Sequence, residues 1–148
     1  QSFGKEARIA LIRDPSGAGF TVYEGPDITP AKQSAGSVTQ RFHHSPDIRL
    51  IQDFYADLFG WSFRKTEDEF RPVFEISDAK GTLVAIAEEV PEDIRGKFRY
   101  WMPCFQVENR SQATALIEAN AGSIFGDLGD GRTMVADQQG AHFMITDR

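Results

Sequence analysis

Two segments of the sequence repeat each other, and this repetition limits the fold more than any other feature of the chain. Ile12–Phe20 and Val135–Phe143 share Asp at the third position, Gly at the sixth, Ala at the seventh and Phe at the ninth. They lie 123 positions apart, close to twice the 62 positions that separate Gly60 from Gly122, and each of these two glycines follows a helical pattern. A fixed period of this kind indicates repeated structural units.

Each unit is predicted to contain one strand, one helix and three further strands. In the first unit, Ser45-Pro46-Asp47 is typical of a helix start, and apolar residues then recur at spacings of three and four up to Gly60. The second unit has the same order, with a helix over about 109–121. The predicted strands are 38–44, 61–65, 73–77 and 82–87 in the first unit, and 100–107, 123–125, 133–136 and 142–146 in the second.

The N-terminal segment is predicted to be a hairpin that belongs to an earlier unit. Strands over 7–12 and 20–23 flank Asp14-Pro15-Ser16-Gly17, a turn in which Pro presets φ and Gly accepts a positive φ. Because this turn repeats the one at Asp137, we assign residues 1–28 to the C-terminal hairpin of a preceding, mostly absent module. Residues 29–37 are then a linker, and 38–148 form the main domain, with modules 38–93 and 98–148.

Composition argues against several classes of function. The chain of 148 residues has a formal net charge of −6 and no basic run, which argues against a nucleic-acid partner. No stretch approaches the roughly 20 apolar residues that a membrane helix needs, so no membrane partner is expected. Cys104 is the single cysteine, which rules out an internal disulfide and favours a reducing, cytoplasmic location.

These motifs, in this order, resemble the vicinal oxygen chelate superfamily, which includes glyoxalase I, bleomycin-resistance proteins, fosfomycin-resistance enzymes and extradiol dioxygenases. The residues that carry the resemblance are Ser45-Pro46-Asp47, Phe54-Tyr55, Leu58-Phe59-Gly60-Trp61, Tyr100–Val107 and the two Asp-containing turn motifs. The likeness is greatest to a branch with tandem module pairs. It implies an α+β fold in which paired βαβββ modules form a cupped, half-barrel sheet around one cavity. It also leads us to expect a second module pair upstream in the full gene product.

The resemblance also implies where a divalent metal would bind. Enzymes of the superfamily take His, Glu or Gln ligands from the first and last strands of their modules. Counting from Asp47 and from the turn motifs, those positions fall on Gln40, Ala85, Met102 and Met144. A catalytic site usually needs three or more His or carboxylate ligands, so we expect no family-type metal site and no cofactor.

Strand alternation from these positions predicts which side chains line the cavity. They are Gln40, Phe42, His44, Met102, Cys104, Gln106, Met144 and Thr146. His44 is the candidate catalytic acid or base, because its ordinary pKa lies near neutrality. The thioethers make the predicted cavity apolar and adaptable. Alternation also places His43 on the opposite face from His44, so the two do not share a ligand.

The predicted function is therefore binding of a small, apolar molecule without a family-type metal. The alternative is a metal-dependent lyase, isomerase or dioxygenase of the same superfamily, and a third hypothesis is a degenerate module that holds the upstream pair. A homodimer or a hairpin-swapped dimer is also predicted.

The acidic residues Glu88, Glu89, Glu92 and Asp93 are expected in a solvated loop. Pro103 lies inside a predicted strand and requires an edge or a bulge.

Overall fold

The computed structural model describes residues 2–3, 7–26, 34–68, 71–97 and 99–148. The chain divides into two compact units. Unit 1 takes in Gln1–Pro30 and Phe42–Trp101, and unit 2 takes in Ala31–Arg41 and Met102–Arg148. Most of the predicted linker, residues 29–33, lies outside the described residues. In the part of the chain that the structure describes, no helix is long and apolar enough to cross a membrane.

The N-terminal hairpin forms a small sheet of its own in unit 1. Its strands are β1 (Ser2–Phe3), β2 (Ala7–Arg13) and β3 (Gly19–Glu24), in the order β1-β2-β3, and both pairings are antiparallel. The strands β2 and β3 contain the segments 7–12 and 20–23 that the sequence predicts. The turn between them is the predicted one, with Gly17 at a φ of 98° that favours glycine.

The remainder of unit 1 is a βαβββ module. It contains β4 (Val38–Ser45), of which unit 1 holds the part from Phe42, followed by α1 (Arg49–Phe59), β5 (Ser62–Lys65), β6 (Val73–Ser77) and β7 (Leu83–Glu89). A short helix, α2 (Glu92–Arg95), follows. The strand order is β5-β6-β7-β4, and β4 runs parallel to β7 with His44 opposite Glu88.

Unit 2 repeats this arrangement. Its elements are β8 (Tyr100–Gln106, in unit 2 from Met102), α3 (Arg110–Ala119), β9 (Ser123–Asp127), β10 (Arg132–Ala136) and β11 (His142–Thr146). The strand order is β8-β11-β10-β9, and β11 runs parallel to β8. The predicted repeat of one strand, one helix and three strands is therefore confirmed. Pro103 precedes Cys104, the first β8 residue paired with β11, so it interrupts no hydrogen bond of that ladder.

The start of α1 differs from the prediction. The helix begins at Arg49, whereas Ser45 is the last residue of β4 and its hydroxyl donates to the carbonyl of Asp47. The backbone N–H of Ile48 donates to the Glu89 carboxylate at 3.0 Å, which satisfies one of the unpaired groups at the helix N-terminus. The predicted apolar stripe of α1 is present, and Ile51 and Tyr55 are its buried residues within the helix. The buried core of this module is Ile48, Ile51, Tyr55, Ile76, Ala85 and Ala87.

Candidate functional site

Three hairpins of the chain use the same aspartate turn. Oδ1 of Asp14, of Asp78 and of Asp137 each accepts the backbone N–H groups two and four residues further on, at 2.8–3.0 Å. The Gly three residues after each Asp has a φ between 80° and 98°. The local sequence is sufficient to form this turn, because the carboxylate bonds its own backbone and Gly accepts the left-handed conformation.

Asp14 differs from the other two aspartates in what its second carboxylate oxygen contacts. Oδ2 lies 2.7 Å from Nε2 of His43 and accepts the Tyr55 hydroxyl at 2.9 Å. The Trp101 indole N–H in turn donates to the Tyr55 oxygen at 3.0 Å. The side chains of Asp14 and His43 are fully buried. We call these four residues the Asp14 cluster. Because a carboxylate only accepts, His43 carries a proton on Nε2.

The hydrogen bonds of the cluster set the charge state of Asp14. Burial would raise the pKa of this carboxyl, but the bonds from His43, Ser16 and Tyr55 outweigh it and lower the pKa to about 2. The pKa of Tyr55 is raised, by burial first and by the neighbouring Asp14 charge. The cluster therefore contains a buried carboxylate that is ionised at neutral pH and a phenol that is not.

Aromatic packing extends the contact between the hairpin and α1. The Phe20 ring lies 6.3 Å from Phe54, 5.6 Å from Tyr55 and 6.0 Å from Phe59, measured between ring centroids. Ala18, in the same hairpin, is fully buried. The hairpin and α1 are thus joined by a buried polar cluster within an aromatic contact. Because the side chains of Asp14 and His43 are fully buried within this contact, we interpret the arrangement as structural.

His44 lies in a second polar cluster. Its Nε2 is 3.4 Å from Oε2 of Glu88, and its Nδ1 is 3.4 Å from the Tyr100 hydroxyl. Arg71 reaches the same Glu88 carboxylate at 3.3 Å. His44 and Glu88 are each 2% exposed, whereas the Arg71 side chain is 39% exposed. We call His44, Glu88, Tyr100 and Arg71 the His44 cluster.

The His44 imidazole has unused hydrogen-bonding capacity. Nε2 is buried and close to Glu88, but the pair is not aligned as a hydrogen bond. Burial raises the pKa of Tyr100, and the nearby Arg95 charge opposes that shift. An imidazole beside a carboxylate and a protonated phenol can accept or donate a proton, and this is the chemistry expected of a general acid or base.

The structure places the predicted cavity residues as follows. In unit 1, Phe42 and His44 are buried in β4. In unit 2, Met102, Cys104, Met144 and Thr146 are buried, Gln106 is half-buried and Gln40 is exposed. Cys104 pairs with Met144, and Gln106 with Thr146, so these four side chains share one face of the unit 2 sheet. Their role as ligand contacts stays a prediction.

The sequence interpretation missed two residues that the structure makes central. Glu88 was expected in a solvated loop, but it lies in β7, is buried and faces His44. Asp14 was expected only to form a turn. Ala85 stands where the resemblance implies a metal ligand from the last strand of the first module. Its side chain packs in the core beneath α1. The sequence contains one signal for the placement of Glu88. It directly follows the apolar run 83–87, so the strand formed by that run can include it.

We tested whether the residues present fit the divalent metal that the resemblance implies. Gln40, Ala85, Met102 and Met144 offer one amide oxygen, one methyl group and two thioethers, whereas hard divalent ions prefer carboxylates and imidazoles. Among the described residues, no three His, Cys, Asp or Glu side chains come together as a metal-binding group. The donor set at these positions does not fit such an ion.

A cavity of about 330 Å³ lies elsewhere, within unit 2. It lies between the end of α3 and the Asp137 turn, and Ile117, Asn120 and Phe143 contribute to its wall. None of the predicted ligand contacts lines it. Among the described residues of its wall, Asp137 is the one titratable group, and Oδ1 of that residue already accepts two backbone N–H groups of the turn. The His44 cluster is therefore a better candidate for the functional site than this cavity.

Comparison with known proteins finds solved structures of similar fold. No protein-family model and no curated protein matches the sequence. A variant of Streptomyces coelicolor methylmalonyl-CoA epimerase in complex with 2-nitronate-propionyl-CoA aligns with a TM-score of 0.51 at 13% identity, covering 76% of this chain and 96% of the epimerase. A second variant of that enzyme gives a TM-score of 0.52 at 12% identity, covering 76% and 94%. A methylmalonyl-CoA epimerase in complex with methylmalonyl-CoA and NH4+ gives 0.51 at 13%, also covering 76% and 94%. At this identity the likeness establishes the fold.

Proposed function

Because the chain has the fold of the vicinal oxygen chelate superfamily, we propose that it binds a small organic molecule next to His44. The observation that carries the proposal is the buried imidazole of His44, which has a nitrogen that lacks an aligned hydrogen bond. Buried polar groups are normally hydrogen-bonded, and an exception calls for a missing partner. A ligand carbonyl or hydroxyl group supplies that partner.

The surroundings of His44 favour a ligand with an apolar body. Phe42 shares the face of β4 that carries His44, and its partner in β7 is Ile86. Ligand sites typically combine an apolar lining with a few polar groups that fix orientation. In this proposal His44, Glu88 and Tyr100 are the polar groups, while Phe42 and Ile86 contact the apolar part.

A second candidate function is proton transfer, as in an isomerase or lyase. It is favoured by the 3.4 Å approach of Glu88 to the His44 imidazole, because a carboxylate stabilises the imidazolium that forms when His44 takes a proton. The solved epimerases are bound to coenzyme A thioesters, so such thioesters are a sensible first set of ligands for this chain. In this candidate function the proton transfer is assigned to His44, because the residues at the metal positions do not fit a divalent ion.

Imidazole NMR tests the proposal directly, because the chain has three histidines. We expect the His44 resonances to shift when a ligand from an acyl-thioester and apolar small-molecule library binds, and those of exposed His142 to stay in place. Binding should also raise the Tm, since a ligand at 100 times its Kd adds about 2.7 kcal/mol.

Matched variants separate the site from the fold. His44→Gln should abolish the Tm shift, whereas His142→Gln should retain it. A ligand whose Tm shift survives His44→Gln would place the site elsewhere and refute the proposal. For the second candidate, solvent deuterium should enter the bound ligand with the native chain and fail to enter with His44→Gln. If both chains exchange deuterium equally, His44 transfers no proton.

We propose a cytoplasmic location, which the single buried Cys104 supports. We also propose self-association, because sheet edges with unpaired backbone groups invite pairing. Sedimentation velocity at several concentrations tests this second point. A single monomeric species throughout would refute it.

A further inference from the structure

Every sulfur atom of the chain lies on one face of one sheet. The sequence contains three methionines and one cysteine. They are Met102, Cys104, Met134 and Met144, and all four belong to unit 2. The feature is independent of the His44 cluster, which lies in unit 1.

The strand register brings these side chains together. Met134 is the partner of Met144 across β10 and β11, and Met144 is the partner of Cys104 across β11 and β8. Directly opposed residues on neighbouring strands share a face. In the antiparallel pair Met134–Met144 the β-carbons lie about 4.5–5.5 Å apart, and the parallel strands β8 and β11 are spaced about 4.7–4.9 Å apart. Met102 precedes Cys104 by two residues and therefore shares its face. The three partnered residues form a continuous row across three strands, which we call the sulfur row.

The surroundings of the sulfur row suit a protected site that is still reachable. Met144 and Cys104 are buried, with exposed fractions of 1% and 0%, whereas Met134 is half-buried and marks the accessible end. Arg132 approaches Sδ of Met144 at 3.7 Å and is ion-paired with Asp130. Burial raises the pKa of the Cys104 thiol, and the nearby Arg132 charge opposes that shift.

We propose that the sulfur row binds a soft monovalent metal ion, Cu(I), through the Cys104 thiolate and the thioethers of Met144 and Met134. Thiolate and thioether ligands select Cu(I) over hard ions such as Mg²⁺. On binding, the Cys104 S–H bond breaks, the S–Cu bond forms and the proton goes to solvent. Copper stays Cu(I) throughout. The Cu(I)–thiolate unit is neutral, so Arg132 does not oppose it.

Methyl NMR with Ag(I), a redox-inert substitute for Cu(I), tests the proposal on the full chain. Three methionine ε-methyl resonances are expected, one for each thioether. Equimolar Ag(I) should shift the resonances of Met134 and Met144, and Cu(I) under anaerobic conditions should compete with it. Unshifted methyl resonances at equimolar Ag(I) would overturn the proposal.

Variants that preserve volume separate coordination from packing. Met134→Leu and Met144→Leu keep the apolar bulk, and each should weaken Cu(I) affinity in competition with a chromophoric Cu(I) chelator. Cys104→Ser should weaken it most, by more than the roughly 10–100-fold that loss of an outer hydrogen-bond partner costs at metal sites. His142→Gln, which removes an exposed imidazole, should leave the affinity unchanged. If His142→Gln abolishes binding while Met134→Leu does not, the ion binds elsewhere and the proposal fails.

Discussion

Replacing Asp14 by Asn removes one carboxylate oxygen from the Asp14 cluster and keeps the turn. The amide oxygen of Asn can still accept the N–H groups of Ser16 and Ala18, but its NH₂ group then faces the donors His43 and Tyr55. The pKa of Asp14 is lowered from 3.8 to about 2, and one pKa unit corresponds to about 1.4 kcal/mol. We therefore expect Asp14→Asn to lower the free energy of unfolding by about 2 kcal/mol at neutral pH.

The pH dependence of this loss gives a second measurement. A carboxyl whose pKa is depressed on folding stabilises the folded state fully above its unfolded value of 3.8. That contribution is lost as the pH falls towards the folded value of about 2. The difference in unfolding free energy between the native chain and Asp14→Asn should therefore shrink between pH 4 and pH 2.

Asp137→Asn is the matched control. Asp137 forms the same turn, but it is exposed. In the described structure, no buried side chain bonds to its carboxylate. Its replacement should change the free energy of unfolding by at most about 0.5 kcal/mol. Urea unfolding followed by far-UV circular dichroism, which reports on the strands and helices of both units, measures the two variants. Equal losses in Asp14→Asn and Asp137→Asn would refute the argument.

Three further changes test neighbouring parts of the structure. Tyr55→Phe leaves the Trp101 indole N–H without its acceptor, so it should lower the free energy of unfolding in urea by about 1–3 kcal/mol. No loss would show that water replaces the hydroxyl. Phe20→Ala should cost roughly 2 kcal/mol, below the 3–5 kcal/mol of a fully buried Phe, whereas Leu11→Ala, at an 84% exposed position, should change little. Cys104 is fully buried and burial raises its pKa, so a thiol reagent should label it only at the urea concentrations that unfold the chain; fast labelling of the native chain would contradict its burial.

The repeated architecture could be predicted because it depends on local chemistry. The turns at Asp14 and Asp137 contain the Asp and Gly that this turn requires, so their spacing revealed the period of the units. The helix start was misplaced because Ser45 is a good N-cap residue in isolation, but its hydroxyl is used by Asp47. Propensity cannot show that β4 continues to Ser45, since pairing with β7 decides that boundary.

The two histidines show which part of the candidate site was accessible to sequence reasoning. Alternation predicted that His43 and His44 face opposite sides, and this is confirmed: His43 contacts Trp101, whereas His44 contacts Tyr100 and Glu88. The burial of Glu88 could not be predicted from its acidic neighbours. It follows from the parallel register of β4 and β7, which joins residues 44 positions apart and leaves no local pattern.

The Asp14 cluster shows that a buried polar residue can indicate a distant partner before the fold is known. Tyr55 lies in the apolar stripe of α1, and His43 lies in a strand that is buried at its C-terminal end. Buried polar side chains need hydrogen-bond partners, so both residues required an acceptor from another element. The three aspartate turns offer equivalent carboxylates in sequence, and only the packing of Phe20 on α1 brings one of them within reach. The hairpin therefore supplies an acceptor that His43 and Tyr55 use, and its removal would leave two buried donors unpaired, at about 1–3 kcal/mol each.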